Sequence, residues 1–222
     1  NNLELEEIIK FYKKGNVNIT VGFNRRFAPF SKKIKLLLGK NNIPINIVIT
    51  INSGNIPKDH WVHDLKIGGG RIIGEACHFI DLCSYFSGSY VKKVCVNAMG
   101  NNPKSNVDNA SILLNYEDGS NASINYFSNG SKSHSKERIE LYSQERTFVI
   151  DNWRILYGYG LKDLKKISKP QDKGHNNQFK ELMTQQLNGE STLIHFDSLV
   201  NTTKSSFACI ESIKTSKWIN II

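Results

Sequence analysis

Three consecutive glycines, Gly68-Gly69-Gly70, run straight into Arg71-Ile72-Ile73-Gly74-Glu75-Ala76-Cys77-His78-Phe79-Ile80-Asp81-Leu82. No other stretch restricts what this chain can fold into so tightly. Glycines in a row mark the place where a loop ends and an element opens. Beyond them the apolar residues take up a helical period. Ile72, Ile73, Ala76, Cys77, Phe79, Ile80, Cys83 and Phe86 share one side, and Gly88 stops the helix. Arg71, Gly74, Glu75, His78, Asp81 and Tyr85 fall within an arc of roughly 120°, interrupted only by Leu82. The pattern predicts a helix over 71–87 that buries one side against a sheet. Its polar side faces water and carries groups able to move protons, behind an N-terminus of bare backbone able to approach a ligand. Helix geometry alone favours an ordinary solvated face over a catalytic one.

The flanking sequence supplies the sheet. Residues 3–14 read as an amphipathic helix stopped by Gly15, and Val17 to Phe23 as a short strand. Residues 29–39 form a helix ended by Gly39, and the alternation of Ile45, Ile47, Ile49 and Ile51 with polar neighbours is a strand. Further strands are expected at 90–98, 109–116, 120–127, 137–143, 146–151 and 153–158, with Glu117-Asp118-Gly119-Ser120 as a hairpin turn. Helices follow at 175–187 and 196–217. Consecutive strands on short links argue an α+β fold: a mostly antiparallel open sheet with helices packed on one face. The helix and strand of residues 1–23 stand before it as half of an α/β unit.

The chain has 222 residues, enough to bury a sizeable core, and no run of about 18 apolar residues that would suggest a membrane span. Its opening, Asn1-Asn2-Leu3, lacks Met and any leader pattern and reads as a piece of a longer protein. The formal charge of +9 comes from scattered lysines, without the aromatic-interleaved basic stripe of a nucleic-acid binder. A solvated surface that suits an anionic cofactor or substrate is the better account, and no nucleic-acid or membrane partner is expected. Cys77, Cys83, Cys95 and Cys209 contain no C-x-x-C. They read as small core residues of a reducing, cytoplasmic protein, and no metal site is expected. The Asn-x-Ser/Thr sequons, as at Asn109 and Asn121, carry no weight in so Asn-rich a chain.

Gly68 to Leu82 resembles the G-G-G-x-x-x-D-x-G-x-H-x-x-D signature of the C-terminal domain of the glucose-fructose oxidoreductase / inositol dehydrogenase family (Gfo/Idh/MocA). Val21-Gly22-Phe23-Asn24-Arg25-Arg26-Phe27-Ala28-Pro29 is similar to the segment where that family's chain leaves its dinucleotide-binding domain, and Asn55-Ile56-Pro57-Lys58-Asp59-His60-Trp61-Val62 is similar too. The Gly-Glu-Ala-Cys-His variant of the signature is closest to the branch fused behind a zinc-type alcohol dehydrogenase module. The resemblance implies that residues 1–23 are the last helix and strand of a truncated dinucleotide-binding domain. Residues 24–222 would then form the catalytic, substrate-binding and oligomerisation domain. No G-x-G-x-x-G appears in the chain.

The implied activity is oxidation of a sugar, polyol or related secondary alcohol, or its reverse, with NAD or NADP taking or giving the hydride. His78 takes the position of the family histidine, and Asp81 the last acidic position, from which it would fix the imidazole tautomer. The family Asp of the signature is Gly74 here, so Glu75, about 100° further round the helix, is the candidate to supply the missing carboxylate. Arg26, His60, Trp61, Gly70 and Arg71 are expected on the substrate side, and Asn24 and Arg25 near the cofactor. Ion pairing across a domain junction is an equal reading of the two arginines. Likewise the loop 53–67 fits a plain connector as well as a site wall. Lys173-Gly174-His175 also recurs in the family, with His175 read first as a helix-start residue. A homo-oligomer through the open sheet face is implied by the resemblance. The competing reading is a catalytically inactive oligomerisation or scaffold domain derived from such a dehydrogenase, kept open by Gly74.

Overall fold

The computed structural model describes residues 1–15, 17–39, 43–105, 107–189 and 192–221. In chain order, helix α1 (Asn2–Lys13) opens with a capping box, Asn1 accepting from the amides of Leu3 and Glu4. A 3₁₀ turn (Asn24–Phe27) and helix α2 (Pro29–Leu38) follow, the latter with proline in its first turn, where no intrahelical donor is lost. Next come strand β1 (Asn46–Asn52), a 3₁₀ turn (Trp61–His63), a π-helical turn (Ile72–Ala76) and helix α3 (Cys77–Ser87). Strands β2 (Val91–Ala98), β3 (Ala110–Tyr116), β4 (Asn121–Phe127), β5 (Glu137–Ser143), β6 (Arg146–Asp151), β7 (Ile155–Tyr159) and β8 (Lys166–Ser168) build most of the sheet. Helices α4 (His175–Leu187) and α5 (Phe196–Thr215) and strand β9 (Ile219–Asn220) complete the chain.

The strands form one sheet in the order β8-β7-β6-β5-β1-β4-β3-β2-β9. Only β1 and β4 run parallel, with Ile49 opposite Ile124; the other pairs are antiparallel. Strict alternation decides the faces. Ile47, Ile49 and Ile51 of β1, Ile112 and Leu114 of β3, Ile124 and Tyr126 of β4, and Ile139 and Leu141 of β5 all point inward. They meet Ile72, Phe79, Ile80 and Phe86 of the glycine-led segment and Cys209 and Ile213 of α5. The opposite face carries Val48, Leu113, Ser123, Asn125, Tyr142 and Tyr159 and, among the described residues, has no helix on it. This is the expected α+β arrangement, an antiparallel-dominated sheet with helices on one side. Among the described residues no helix is long and apolar enough to cross a membrane.

Three expectations are corrected. Residues 17–23 form no strand: no neighbouring strand lies beside them, and the Phe23 and Asn24 amides turn back onto the Val21 and Gly22 carbonyls. The strand expected at 153–158 starts at Ile155, because Asn152 and Trp153 both take left-handed backbone in the β6–β7 turn. The helix expected over 71–87 is not uniform, since its first turn is π-helical. The short edge strands β8 and β9 carry too few residues to announce themselves in the sequence.

Candidate active site

Each glycine of the triplet is required for its own reason. A Cβ on Gly68 would lie 2.5 Å from the Cα of Val62, and Gly69 and Gly70 both have positive φ. Their amides are already engaged: Gly68 and Gly69 donate to the Asp64 carbonyl and Gly70 to that of Val62. The bare N-terminus expected for a ligand is therefore folded onto the chain's own 61–64 turn. This brings His60 and Trp61 beside the start of the glycine-led helix. Trp61 is 60% exposed, and the His60 Nδ1 caps the turn by accepting from the Val62 amide. Gly70 is buried, and its amide is not available to a substrate.

The polar arc of the helix is largely covered: Gly74 is exposed, Glu75, His78 and Tyr85 are half-buried, and Arg71 and Asp81 are buried. Arg71 is 1% exposed: it donates through Nε and Nη2 to Glu75 at 3.0 and 3.1 Å and through Nη1 to the Gly54 carbonyl at 2.8 Å. Its guanidinium lies over the Tyr126 ring. Glu75 also accepts from the Tyr126 hydroxyl at 2.5 Å. Burial works to raise the Glu75 carboxyl, but these hydrogen bonds outweigh it and hold the group below its ordinary range. One turn on, Asp81 is 0% exposed and takes a two-point bond from Arg26, at 2.7 and 2.6 Å, while Arg26 also donates to Ser198 of α5. Burial pushes Asp81 up to about 6 against the pull of Arg26, which leaves it ionised at neutral pH.

The expected partnership of Asp81 with His78 is corrected by this geometry. Both Asp81 oxygens belong to Arg26, and the His78 Nδ1 is buried with no hydrogen-bond partner among the described residues. Arg26 and Arg71, expected to meet substrate, are likewise held by the chain's own carboxylates. The reason is tertiary: the 24–27 turn and α5 lie over the side of the helix that the sequence left for solvent.

His78 itself is half-buried, with Phe23 packed edge-on against its ring at a centroid distance of 5.5 Å. Burial, followed by the nearby Arg25 guanidinium, lowers the imidazole to about 4, so the ring is neutral at physiological pH. Glu137, Glu75 and His175 also bear on its charge. With Nδ1 enclosed, Nε2 is the ring nitrogen available to a ligand. Burial raises the neighbouring Cys77 thiol to about 12, which rules it out as a thiolate nucleophile at neutral pH.

A residue that the sequence reading did not single out organises the other wall. Glu137, the first residue of β5, is 0% exposed and accepts from Arg25 at 2.9 and 2.8 Å, from Trp153 Nε1 at 2.6 Å and from Lys173 Nζ at 2.7 Å. These donors overcome the cost of burial and bring its carboxyl down to about 2. A signal was present: period two puts Glu137 on the inward face with Ile139 and Leu141. Lys173 and His175 join the site through Gly174, whose φ is +87° and whose Cβ would lie 2.4 Å from both the Ala28 nitrogen and the Asn24 oxygen. Asn24, buried, donates to the Lys173 carbonyl, and Asn177 and Gln178 donate to the carbonyls of Phe27 and Val21. The start of α4 is thereby stitched to the 21–28 segment.

The chain is 28% identical over 156 residues to the oxidoreductase YrbE of Bacillus subtilis, covering 68% of this chain and 45% of that protein. It is 25% identical over 158 residues to myo-inositol 2-dehydrogenase of Thermotoga maritima, covering 68% and 46% respectively. The chain thus spans about half the length of these curated relatives. Among solved structures, levoglucosan dehydrogenase in complex with NADH and levoglucosan has the same fold, with a TM-score of 0.79 at 16% identity over 98% of this chain and 70% of that one. Residues 44–149, from the start of the sheet through the glycine-led helix to β6, match the sequence model of the GFO/IDH/MocA C-terminal domain.

Proposed function

We propose that this chain is the substrate-side part of an NAD(P)-dependent oxidoreductase of the Gfo/Idh/MocA type, acting on a sugar, polyol or related secondary alcohol. One observation carries the reading. A neutral, half-buried imidazole stands at the junction of the 24–27 turn, the glycine-led helix and α4, with one ring nitrogen enclosed and the other left for a ligand. The family match and the oxidoreductase relatives support the class. The Gly-Glu-Ala-Cys-His variant supports the branch carried behind a zinc-type alcohol dehydrogenase module.

In this reading the Nε2 of His78 takes the substrate hydroxyl proton as hydride leaves the carbon, and returns it in the reverse direction. The carboxylates of Glu75 and Glu137, both of which favour the charged imidazole, stabilise the imidazolium that forms. Glu75 is held for that role by Arg71 and Tyr126. His60 and Trp61 line the substrate side from the 61–63 turn, and Asp81 positions Arg26 rather than touching substrate. The described residues do not fit a dinucleotide cradle: the glycine amides are bonded within the loop, Asn24 is buried, and Arg25 is held by Glu137. The nicotinamide is therefore assigned to a part of the protein outside these residues, and the open face carrying Val48, Leu113 and Tyr142 to a second copy of the chain.

A catalytically inactive scaffold domain is the second reading, favoured by the lack, among the described residues, of a hydrogen-bonded orienting partner on the Nδ1 of His78. Replacing His78 by alanine in the protein and measuring turnover against sugars and polyols separates the two. A fall in kcat of about 10²-fold or more is expected; unchanged turnover would remove His78 from the chemistry.

A further inference from the structure

The charges around His78 do not balance. Arg26 is matched by Asp81 and Arg71 by Glu75, each through two bonds, with Asp108 a further 3.8 Å from Arg71. Glu137 alone serves both Arg25 and Lys173. Among the described residues no second carboxylate lies within 4.0 Å of either cation. The surplus is held largely out of water, the Arg25 side chain being 12% exposed and that of Lys173 19%. An uncompensated cation in such a place is costly unless something else supplies the negative charge.

The surroundings leave room for that partner. Arg25 uses only Nε and Nη2 on Glu137, and Lys173 only one of its three ammonium donors. Lys173 and His175 line a cleft of about 520 Å³ together with Lys169, Asp172, Trp153 and Phe30. That volume lies within the span of small-molecule sites, about 300–1,000 Å³. The Arg25 guanidinium lies over the ring of Phe79, the residue after His78, at 4.5 Å from its centroid, and Arg25 and His175 both bear electrostatically on the imidazole.

We propose that the ligand of this site carries an anionic group, a carboxylate or a phosphate, which docks on the Arg25–Lys173 pair while its reacting hydroxyl lies at His78. This rests on the reading of His78 given above. Glu137 is then a positioning residue that presents the two cations at a fixed spacing while cancelling only one of them.

The test is a calorimetric titration of the full chain with glucuronate, glucose and inorganic phosphate. Glucuronate is expected to bind at least 10-fold more tightly than glucose. Lys173→Gln should erase that preference, and Glu137→Gln, which leaves both cations uncancelled, should increase it. Binding of phosphate without glucuronate supports the anion site and assigns the group to a phosphoester. Equal binding of glucuronate and glucose, no binding of either anion, or an unaltered preference in Lys173→Gln would overturn the proposal, the first two needing no variant. Because binding is read without turnover, such a result leaves hydride transfer standing. A failed His78→Ala test, conversely, would leave the anion site standing.

Discussion

Two buried carboxylates, Glu137 and Asp81, behave oppositely at this site, and the difference is the number of donors each meets. Glu137 is surrounded by a guanidinium, an ammonium and an indole N–H, and its carboxyl falls from 4.5 to about 2. The stabilisation it contributes is present above pH 4.5 and lost as pH falls through 2, a linkage on the order of 3 kcal/mol. His78 acts in the same direction. Its folded value of about 4 lies below the ordinary 6.5, so stability present above pH 6.5 is lost as pH falls toward 4. Asp81 opposes both: raised from 3.8 to about 6, its ionised form costs the folded state, and acidification through pH 6 relieves that cost. The Glu137→Gln variant is therefore expected to be less stable than the parent at pH 7, with the gap narrowing between pH 4.5 and 2. Urea denaturation across that range checks it; a gap independent of pH would mean that the charge of Glu137 contributes nothing. If His78 is the base, the acidic limb of kcat/KM attributable to it should fall near pH 4 instead of 6.5.

At the scale of elements, the site depends on glycines whose roles are steric. Gly174 combines a left-handed φ with backbone contacts that a methyl group would push to 2.4 Å. Gly174→Ala is expected to destabilise the fold by about 1–3 kcal/mol, as read by a lowered Tm, because backbone strain and a forced shift add together. Turnover should fall as well, since Lys173 and His175 move with it. A variant as stable and active as the parent would show that the 173–175 segment is not pinned to the 24–28 turn. Gly74 is a contrast. A Cβ there would meet the Gly68 oxygen and Val62 at 3.6 and 3.9 Å, ordinary contact distances, and the position is exposed. Gly74→Asp is therefore expected to fold with Tm within a few degrees of the parent. A collapse in Tm would mean that the π-helical turn itself requires glycine.

For the molecule as a whole, the sheet supplies rigidity and the site is assembled on its helix-covered face, at the ends of the central strands β4 and β5, by segments far apart in sequence. Arg25 reaches Glu137 across 112 positions, and Asn24 reaches Lys173 across 149. Nothing among the described residues cradles a pyrophosphate, so the chain by itself is expected to bind NADH only weakly. Fluorescence titration finding a micromolar Kd would overturn the assignment of the nicotinamide to another part of the protein.

Periodicity in the sequence determined the sheet, the helices and which side of each strand is inward, because alternation and 3.6-residue spacing are local consequences of backbone geometry. The resemblance of the glycine-led segment singled out His78, and the inward phase of β5 contained the information that Glu137 is buried. What periodicity did not determine was who partners whom. The polar arc of the glycine-led helix looked solvent-facing because a helix carries no information about what is laid over it. Only the tertiary structure gave Asp81 to Arg26, Glu75 to Tyr126 and two cations to Glu137, since contacts between residues more than thirty positions apart follow from where the chain returns.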